Sequence, residues 1–270
     1  MQLNLFMACN MKKNITLLFL FSAFIVNAQR TMFTRQNNYV TEAAAPFQVP
    51  PIITSGLIAY LDASDPSSYS GSGTTWTDKQ GVANGTLNGA INYVSNGNAS
   101  YFYLPGLDNA YINSSTSQVY KDFTIVFQPD FSSFNYSGGH TLFSKGPSVD
   151  ISMRFWSHSF IDQTGVVGNP NNVWGVPNTP NTVEWQGVSS LYLNGVNQTV
   201  NFFPLVNGWN ILGGQNDPSN NWGAFPYCIG AGYNSRAFQG KIAVVLFYDR
   251  VLSAAEQLQN FNALKSRFGL

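Results

Sequence analysis

The residues of this chain whose chemistry could be catalytic are its carboxylates, and they are sparse. The glutamates are Glu42, Glu184 and Glu256. Hydrolysis of a glycosidic bond uses two carboxylates flanking that bond, roughly 5 to 9 Å apart according to mechanism. Glu42 lies in an Ala/Pro stretch, Glu256 stands where a helix cap is expected, and Glu184 has no acid near it in sequence. Asp150 and Asp162 flank the alternating run 151–156 but are too widely spaced in sequence to form an acid motif on one strand. The histidines, His140 and His158, fall in neither a nucleophile–base order nor a metal-type cluster. The expectation is a protein that is not an enzyme, with glycosidase as the least favoured reading.

Two other kinds of site are open. Asp62, Asp65, Asp78, Asp108 and Asn109 are loop oxygen donors of the type that suits Ca²⁺. None forms a D-x-D-x-D-G loop, and Asx side chains also stabilise turns. No cofactor is therefore expected, calcium is the one candidate, and metal ligands are left unassigned. Binding of a glycan would use aromatic platforms beside amides. Trp156, Trp174, Trp185 and Trp222 lie in or near polar segments. The best constellations are Asp217-Pro-Ser-Asn-Asn-Trp222 and Gly232-Tyr-Asn-Ser-Arg236. The expected ligand-binding residues are Trp222, Asn221, Asp217, Tyr233 and Asn234. A single tryptophan more often fills a core or covers a sheet edge, so the expectation rests on the cluster.

The bulk composition agrees with a neutral, hydrogen-bonding surface. Charged residues make up 10% of the chain and aromatic residues 15%. Lys and Arg number 13, as do Asp and Glu. No basic stripe is present, which argues against a nucleic-acid partner. The amino terminus reads as a signal peptide, residues 1–28, with Met11 as the expected true start. Lys12 and Lys13 precede the apolar run 15–26, and Val26-Asn27-Ala28 suits a signal peptidase. That run is too short for a comfortable membrane span. Export across the inner membrane follows, to the periplasm, the cell surface or the medium. Cys228 is then the remaining cysteine, read as a small buried residue.

Residues 29–54 read as a linker, carrying Ala43-Ala-Ala-Pro46 and Pro50-Pro51. Residues 55–270 read as one β-sandwich. Short apolar runs recur between Asn/Gly/Asp turns: 57–61, 85–87, 91–94, 101–104, 110–112, 123–127, 141–144, 151–156, 191–193 and 242–248. Asn194-Gly195 asks for positive φ at both positions and a returning strand over 198–203. Asn169 to Glu184 reads as a long surface excursion. Trp76 reads as an anchor folded onto the sandwich. Ser253-Ala-Ala-Glu256 is a capping box, with Leu258, Phe261 and Leu264 on one helical face. Gly269 supplies a left-handed stop. The fold class is all-β, a two-sheet antiparallel sandwich or jelly roll with a short C-terminal helix.

Several segments, in order, resemble the laminin-G-like, concanavalin-type lectin/glucanase superfamily of bacterial or phage type. They are Gly56-Leu-Ile-Ala-Tyr-Leu-Asp-Ala63, Thr75-Trp-Thr-Asp78 with Asn84-Gly-Thr-Leu87, Asp122-Phe-Thr-Ile-Val126 and Phe143-Ser-Lys-Gly146. Leu191-Tyr-Leu-Asn-Gly195, Phe238-Gln-Gly-Lys-Ile242 and the Leu252-Ser-Ala-Ala-Glu256 helix start complete the set. The resemblance implies a binding module more often than an enzyme. Its hydrolytic branch carries Glu-x-Asp-x-(x)-Glu on one strand, which this chain lacks. The family's Phe-Asp-Gly turn is replaced here by Leu104-Pro-Gly-Leu-Asp108. Taken together, these readings favour a secreted, non-enzymatic module that binds a carbohydrate or surface polymer. The alternative is a structural or adhesive surface protein with a protein partner.

Overall fold

The computed structural model describes residues 49–130, 140–144, 152–156, 182–185, 188–198, 208–216, 223–231 and 237–270. Two antiparallel sheets account for most of them. The first runs in the order β12 (Val196–Gln198), β11 (Val188–Leu193), β13 (Asn210–Asn216), β7 (Asp122–Pro129), β15 (Gln239–Tyr248), β5 (Tyr101–Pro105) and β4 (Asn92–Val94). β1 (Leu57–Asp62) also pairs with β15, beyond the point where β5 leaves it. The second sheet runs β10 (Thr182–Trp185), β9 (Ser152–Trp156), β8 (His140–Ser144), β14 (Cys228–Ile229), β6 (Tyr111–Ser114), β3 (Gly85–Asn88) and β2 (Thr75–Trp76). The C-terminal helix α1 spans Ala254–Leu264 and tightens into a 3₁₀ turn over Lys265–Phe268.

The sheets face each other across a core rich in aromatic side chains. Trp76, Phe102, Phe123, Phe143 and Phe247 are buried within it. Trp76 packs edge-on against Phe102 at 4.8 Å, as an anchor should. A second apolar cluster lies on the outer face of the first sheet, where Val126, Val244, Leu246, Leu264 and Phe268 are buried together. β7 and β15 are thus covered on both faces. That is why their sequences read as continuous apolar runs and not as alternation.

Helix α1 is the lid over that outer face. Ser253 Oγ accepts the Glu256 N–H, and the Glu256 carboxylate accepts the Ser253 N–H at 2.8 Å, so the capping box forms. Arg250 holds the same carboxylate at 2.6 and 3.0 Å, and this pairing draws Glu256 down to about 2. Gly269 takes φ +72° at the end of the 3₁₀ turn, as expected. The expected apolar face needs correction. Leu258 is 45% exposed, and the buried positions of the helix are Gln257, Asn260 and Leu264. Two of them are polar because the sheet beneath offers polar partners. Asn260 accepts the Ile53 N–H at 2.8 Å and donates to Thr124 Oγ1 and Tyr248 Oη at 3.2 and 3.0 Å. Tyr248 Oη donates in turn to Ile53 O.

Gln257 donates to Asp122 at 2.7 Å, and the carboxylate also accepts the Leu252 and Phe123 N–H groups. Asp122 has no exposed surface. Burial pushes its carboxyl up to about 7, against the pull of those three donors. The folded state then binds a proton that the unfolded state has released. Stability contributed by this group is highest below the ordinary carboxylate range and falls as pH rises toward about 7. Urea midpoints of the wild type should therefore decline between pH 5 and pH 7.5. Asp122→Asn should lack that slope; an identical slope in both proteins contradicts the assignment.

The hairpin turn between β11 and β12 forms as its sequence asks, with φ +50° at Asn194 and +78° at Gly195. A Cβ at Gly195 would come within 2.8 Å of the Phe261 ring, so the turn rests against α1. The returning strand occupies 196–198, and the remainder of the expected 198–203 run lies outside the described residues. β10 begins at Thr182, so the end of the expected surface excursion is strand. Within the described residues, no helix is long and apolar enough to cross a membrane.

Candidate functional site

Three of the carboxylates that could hold a cation, Asp62, Asp65 and Asp78, are occupied by donors. Asp78 is buried and accepts four backbone N–H groups, from Tyr60, Gln80, Val82 and Ala83, at 2.7 to 3.0 Å. Asp62 takes a two-pronged contact from Arg267 at 2.8 Å on each oxygen, together with the Ser64 N–H. Asp65 accepts Lys79 and both donors of Ser67. Its contacts with Lys79 and Ser67 lower its carboxyl to about 2. Each of these oxygens is turned toward protons, the reverse of the lone-pair array that a metal needs. Asp108 and Asn109 stand exposed in the turn after β5. No metal-type cluster of His, Cys, Asp or Glu occurs among the described residues. Cys228 is fully buried; burial pushes its thiol up to about 12, which suits a packing role.

The five expected ligand-binding residues, Trp222, Asn221, Asp217, Tyr233 and Asn234, all lie outside the described residues. Their anchor points are described. Gly223 and Ala231 bound a stretch that pairs at Phe225 with Gln118 and at Cys228–Ile229 with β6. Trp174, Glu42, Asp150, Asp162 and His158 also lie outside the described residues. Glu184 falls in β10, in register with Arg154 of β9.

A different set of polar and aromatic residues is brought together on the outer face of the first sheet, beyond the end of α1. Four strands contribute one register row: Asn92 of β4, Tyr103 of β5, Lys241 of β15 and Gln128 of β7. At about 4.8 Å between strands, that row is about 14 Å wide. Tyr103 Oη donates to Asp130 Oδ2 at 3.0 Å. Gln239 Nε2 lies 3.3 Å from Tyr103 Oη and 3.4 Å from Asp130 Oδ2. Partial burial, aided by Asp130, pushes the Tyr103 phenol up. Lys241 Nζ donates to Gln128 Oε1 at 3.1 Å and lies 5.0 and 5.8 Å from the ring centres of Tyr101 and Trp209. Trp209 closes the row on the helix side by packing on Phe268 at 4.9 Å.

Tyr101, Tyr103, Gln128, Asp130, Trp209, Gln239 and Lys241 are all partly exposed. The face thus offers phenol, amide, carboxylate and ammonium groups beside two aromatic rings. Such a surface can trade hydrogen bonds with hydroxyls while a ring covers C–H groups. Sequence reading missed it, although one signal was present. In Tyr101-Phe-Tyr-Leu104 the tyrosines alternate with core residues, and in Gln239-Gly-Lys-Ile242 the polar residues do the same.

No family model matches the chain, and no curated protein matches it. Solved structures do. Domain 4 of AbnA, a GH43 extracellular arabinanase from Geobacillus stearothermophilus, in complex with arabinotriose, is 15% identical with a TM-score of 0.43, covering 76% of this chain and 97% of that one. Trypanosoma rangeli sialidase is 13% identical with a TM-score of 0.44, and the match covers 90% of this chain but 39% of the sialidase. The binding domain of Paraclostridial Mosquitocidal Protein 1 is 13% identical with a TM-score of 0.41, covering 77% of this chain and 52% of that domain. These comparisons assign no family; the fold itself is an antiparallel two-sheet β-sandwich with a C-terminal helix.

Proposed function

We propose that this chain is a secreted, non-enzymatic β-sandwich module of the laminin-G-like type that binds a carbohydrate or another surface polymer. The observation that carries the reading is the row Tyr103–Lys241–Gln128 with Asp130 and Gln239 beside it, flanked by Tyr101 and Trp209. Its groups pair with hydroxyls in both directions. The carboxylates described elsewhere in the sandwich are largely committed to holding the fold, as with Asp62, Asp78 and Asp122. The segments carrying Trp222 and Tyr233, expected from the sequence, are a second place where a glycan could dock.

The test is a broad glycan array probed with residues 29–270, once with calcium and once with a chelator. Retention on a defined sugar class supports the reading, and loss with the chelator adds a metal to it. Tyr103→Ala should weaken retention about tenfold or more, the size of one lost stacking and hydrogen-bonding residue at a binding centre. Its melting temperature should change little, because Tyr103 lies outside both apolar clusters. If Trp222→Ala abolishes retention and Tyr103→Ala does not, the site includes Trp222 and not the outer-face row. A blank array from folded protein rejects the reading in favour of a protein-binding surface role.

A further inference from the structure

The outer-face row holds one cation whose setting differs from that of the others. Among the described residues, Lys79, Arg250 and Arg267 are each matched by a carboxylate. Lys121 is exposed. Lys265 sits over Phe261 at the C-terminal end of α1, where the helix dipole favours positive charge. Lys241 has neither a described carboxylate partner nor a helix end. Its contacts are the Gln128 amide oxygen and the faces of Tyr101 and Trp209. One of its three N–H donors is used on Gln128, and rings supply no strong acceptor.

Two ordinary reasons for a lysine on a sheet do not fit here. Lysine blunts exposed sheet edges, but β15 is an interior strand with β7 on one side and β5 on the other. Lysine also appears where the chain must stay soluble, with its head group free in water. The Lys241 ammonium is instead held over two rings and bonded to an amide, and the residue is only partly exposed. A fixed cation with unused donors, set among hydroxyl-binding groups, is complementary to an anion carried on a polyhydroxylated chain.

We infer that the outer face of the first sheet selects an acidic polysaccharide, with Lys241 receiving its carboxylate or sulfate while Asp130, Gln239 and Tyr103 bind neighbouring hydroxyls. This rests on the carbohydrate-binding reading above and narrows its ligand class.

The experiment compares retention of residues 29–270 on immobilised polygalacturonate, hyaluronate and dextran sulfate with retention on fully methyl-esterified polygalacturonate, dextran and laminarin. A chelator is present throughout, so that calcium cannot bridge the charges. Retention on at least one acidic polymer should exceed that on its neutral counterpart by about tenfold and weaken as salt screens the contact. Lys241→Met keeps an unbranched apolar chain without the ammonium and should erase the acidic preference; Lys241→Arg should keep it. Carboxylate and sulfate as the bound group are told apart by polygalacturonate against dextran sulfate. Equal retention on acidic and neutral polymers overturns the inference and leaves the carbohydrate reading standing. So does an acidic preference that survives in Lys241→Met. Retention on none of the six polymers, with a blank glycan array as well, overturns both.

Discussion

Asp78→Ala should be the most damaging single change in the described part of this protein. The wild-type carboxylate satisfies the N–H groups of Tyr60, Gln80, Val82 and Ala83 from a position that is 2% exposed. Its own N–H donates to Asn84 at 2.8 Å, which ties together the two halves of the Trp76–Asn84 segment. Alanine leaves four donors facing a space that water reaches poorly. Each hydrogen bond to a charged group is worth about 1.5–3 kcal/mol and is costly to leave unmade, so a loss of about 4 kcal/mol or more is expected. In a domain of this size that corresponds to a fall of about 8–16 °C in melting temperature. Asp78→Asn should fall between, since one oxygen survives and the new NH₂ faces the remaining donors. A thermal melt and a urea titration check this; a loss below about 1 kcal/mol would show that the loop relaxes to find other acceptors.

Arg267→Met should rank second. Arg267 reaches from the last turn of the chain to Asp62 at the end of β1 and also donates to Asn98 O at 2.9 Å. The Asp62 side chain is 5% exposed. Removing one partner of a buried pair strands the other charge and typically costs about 3–5 kcal/mol. Methionine keeps an unbranched apolar chain but gives up the guanidinium, which also lies 5.3 Å from the Phe268 ring centre, so the loss reports on the charged group. Adding Asp62→Asn to Arg267→Met should recover part of the loss, because the stranded charge is gone. Four urea midpoints, for wild type, both single variants and the double variant, give the coupling directly. Additive single losses would mean that the pair contributes nothing beyond its separate contacts.

Much of the sandwich was legible because its strands carry their environment in their composition. β7 and β15 read as strands since both faces are covered, one by the opposite sheet and one by α1. The helix announced itself through Ser253 and Glu256, and its stop through Gly269. β13 did not show, because Gly213 and Gly214 interrupt its apolar pattern. The structure supplies the reason for both glycines. A Cβ on Gly213 would collide with the Gln257 amide held on Asp122, and one on Gly214 would lie 2.8 Å from the Phe123 ring. β14 is two residues long, too short to leave a periodic signal. Asn260 was missed for the opposite reason: a polar residue on a helix face reads as solvent-facing until its partners Ile53, Thr124 and Tyr248 are seen.

The outer-face row was illegible for a topological reason. It takes one residue from each of four strands, and Tyr103 and Lys241 are adjacent in the sheet although most of the domain separates them in sequence. Apart from Asn92 and Tyr103, which lie on consecutive strands, no local window contains two members of the row. The expectation drawn from sequence favoured Asp217 to Trp222 and Tyr233 to Asn234 because contiguous clusters are what a linear reading can see.

The pairing of β1 with β15 joins the first strand to the last, and Ile53 is fixed by Asn260 some two hundred residues later. β15 is also the strand on which β5 and β7 depend for their order in the sheet. Contacts this distant in sequence make for slow folding, because the chain must close its longest loops before they are rewarded. Until β15 is made, nothing joins β1 and β5 to the β7 half of the first sheet. Shortened chains ending before Gln239 should therefore remain unfolded however much of the second sheet they contain.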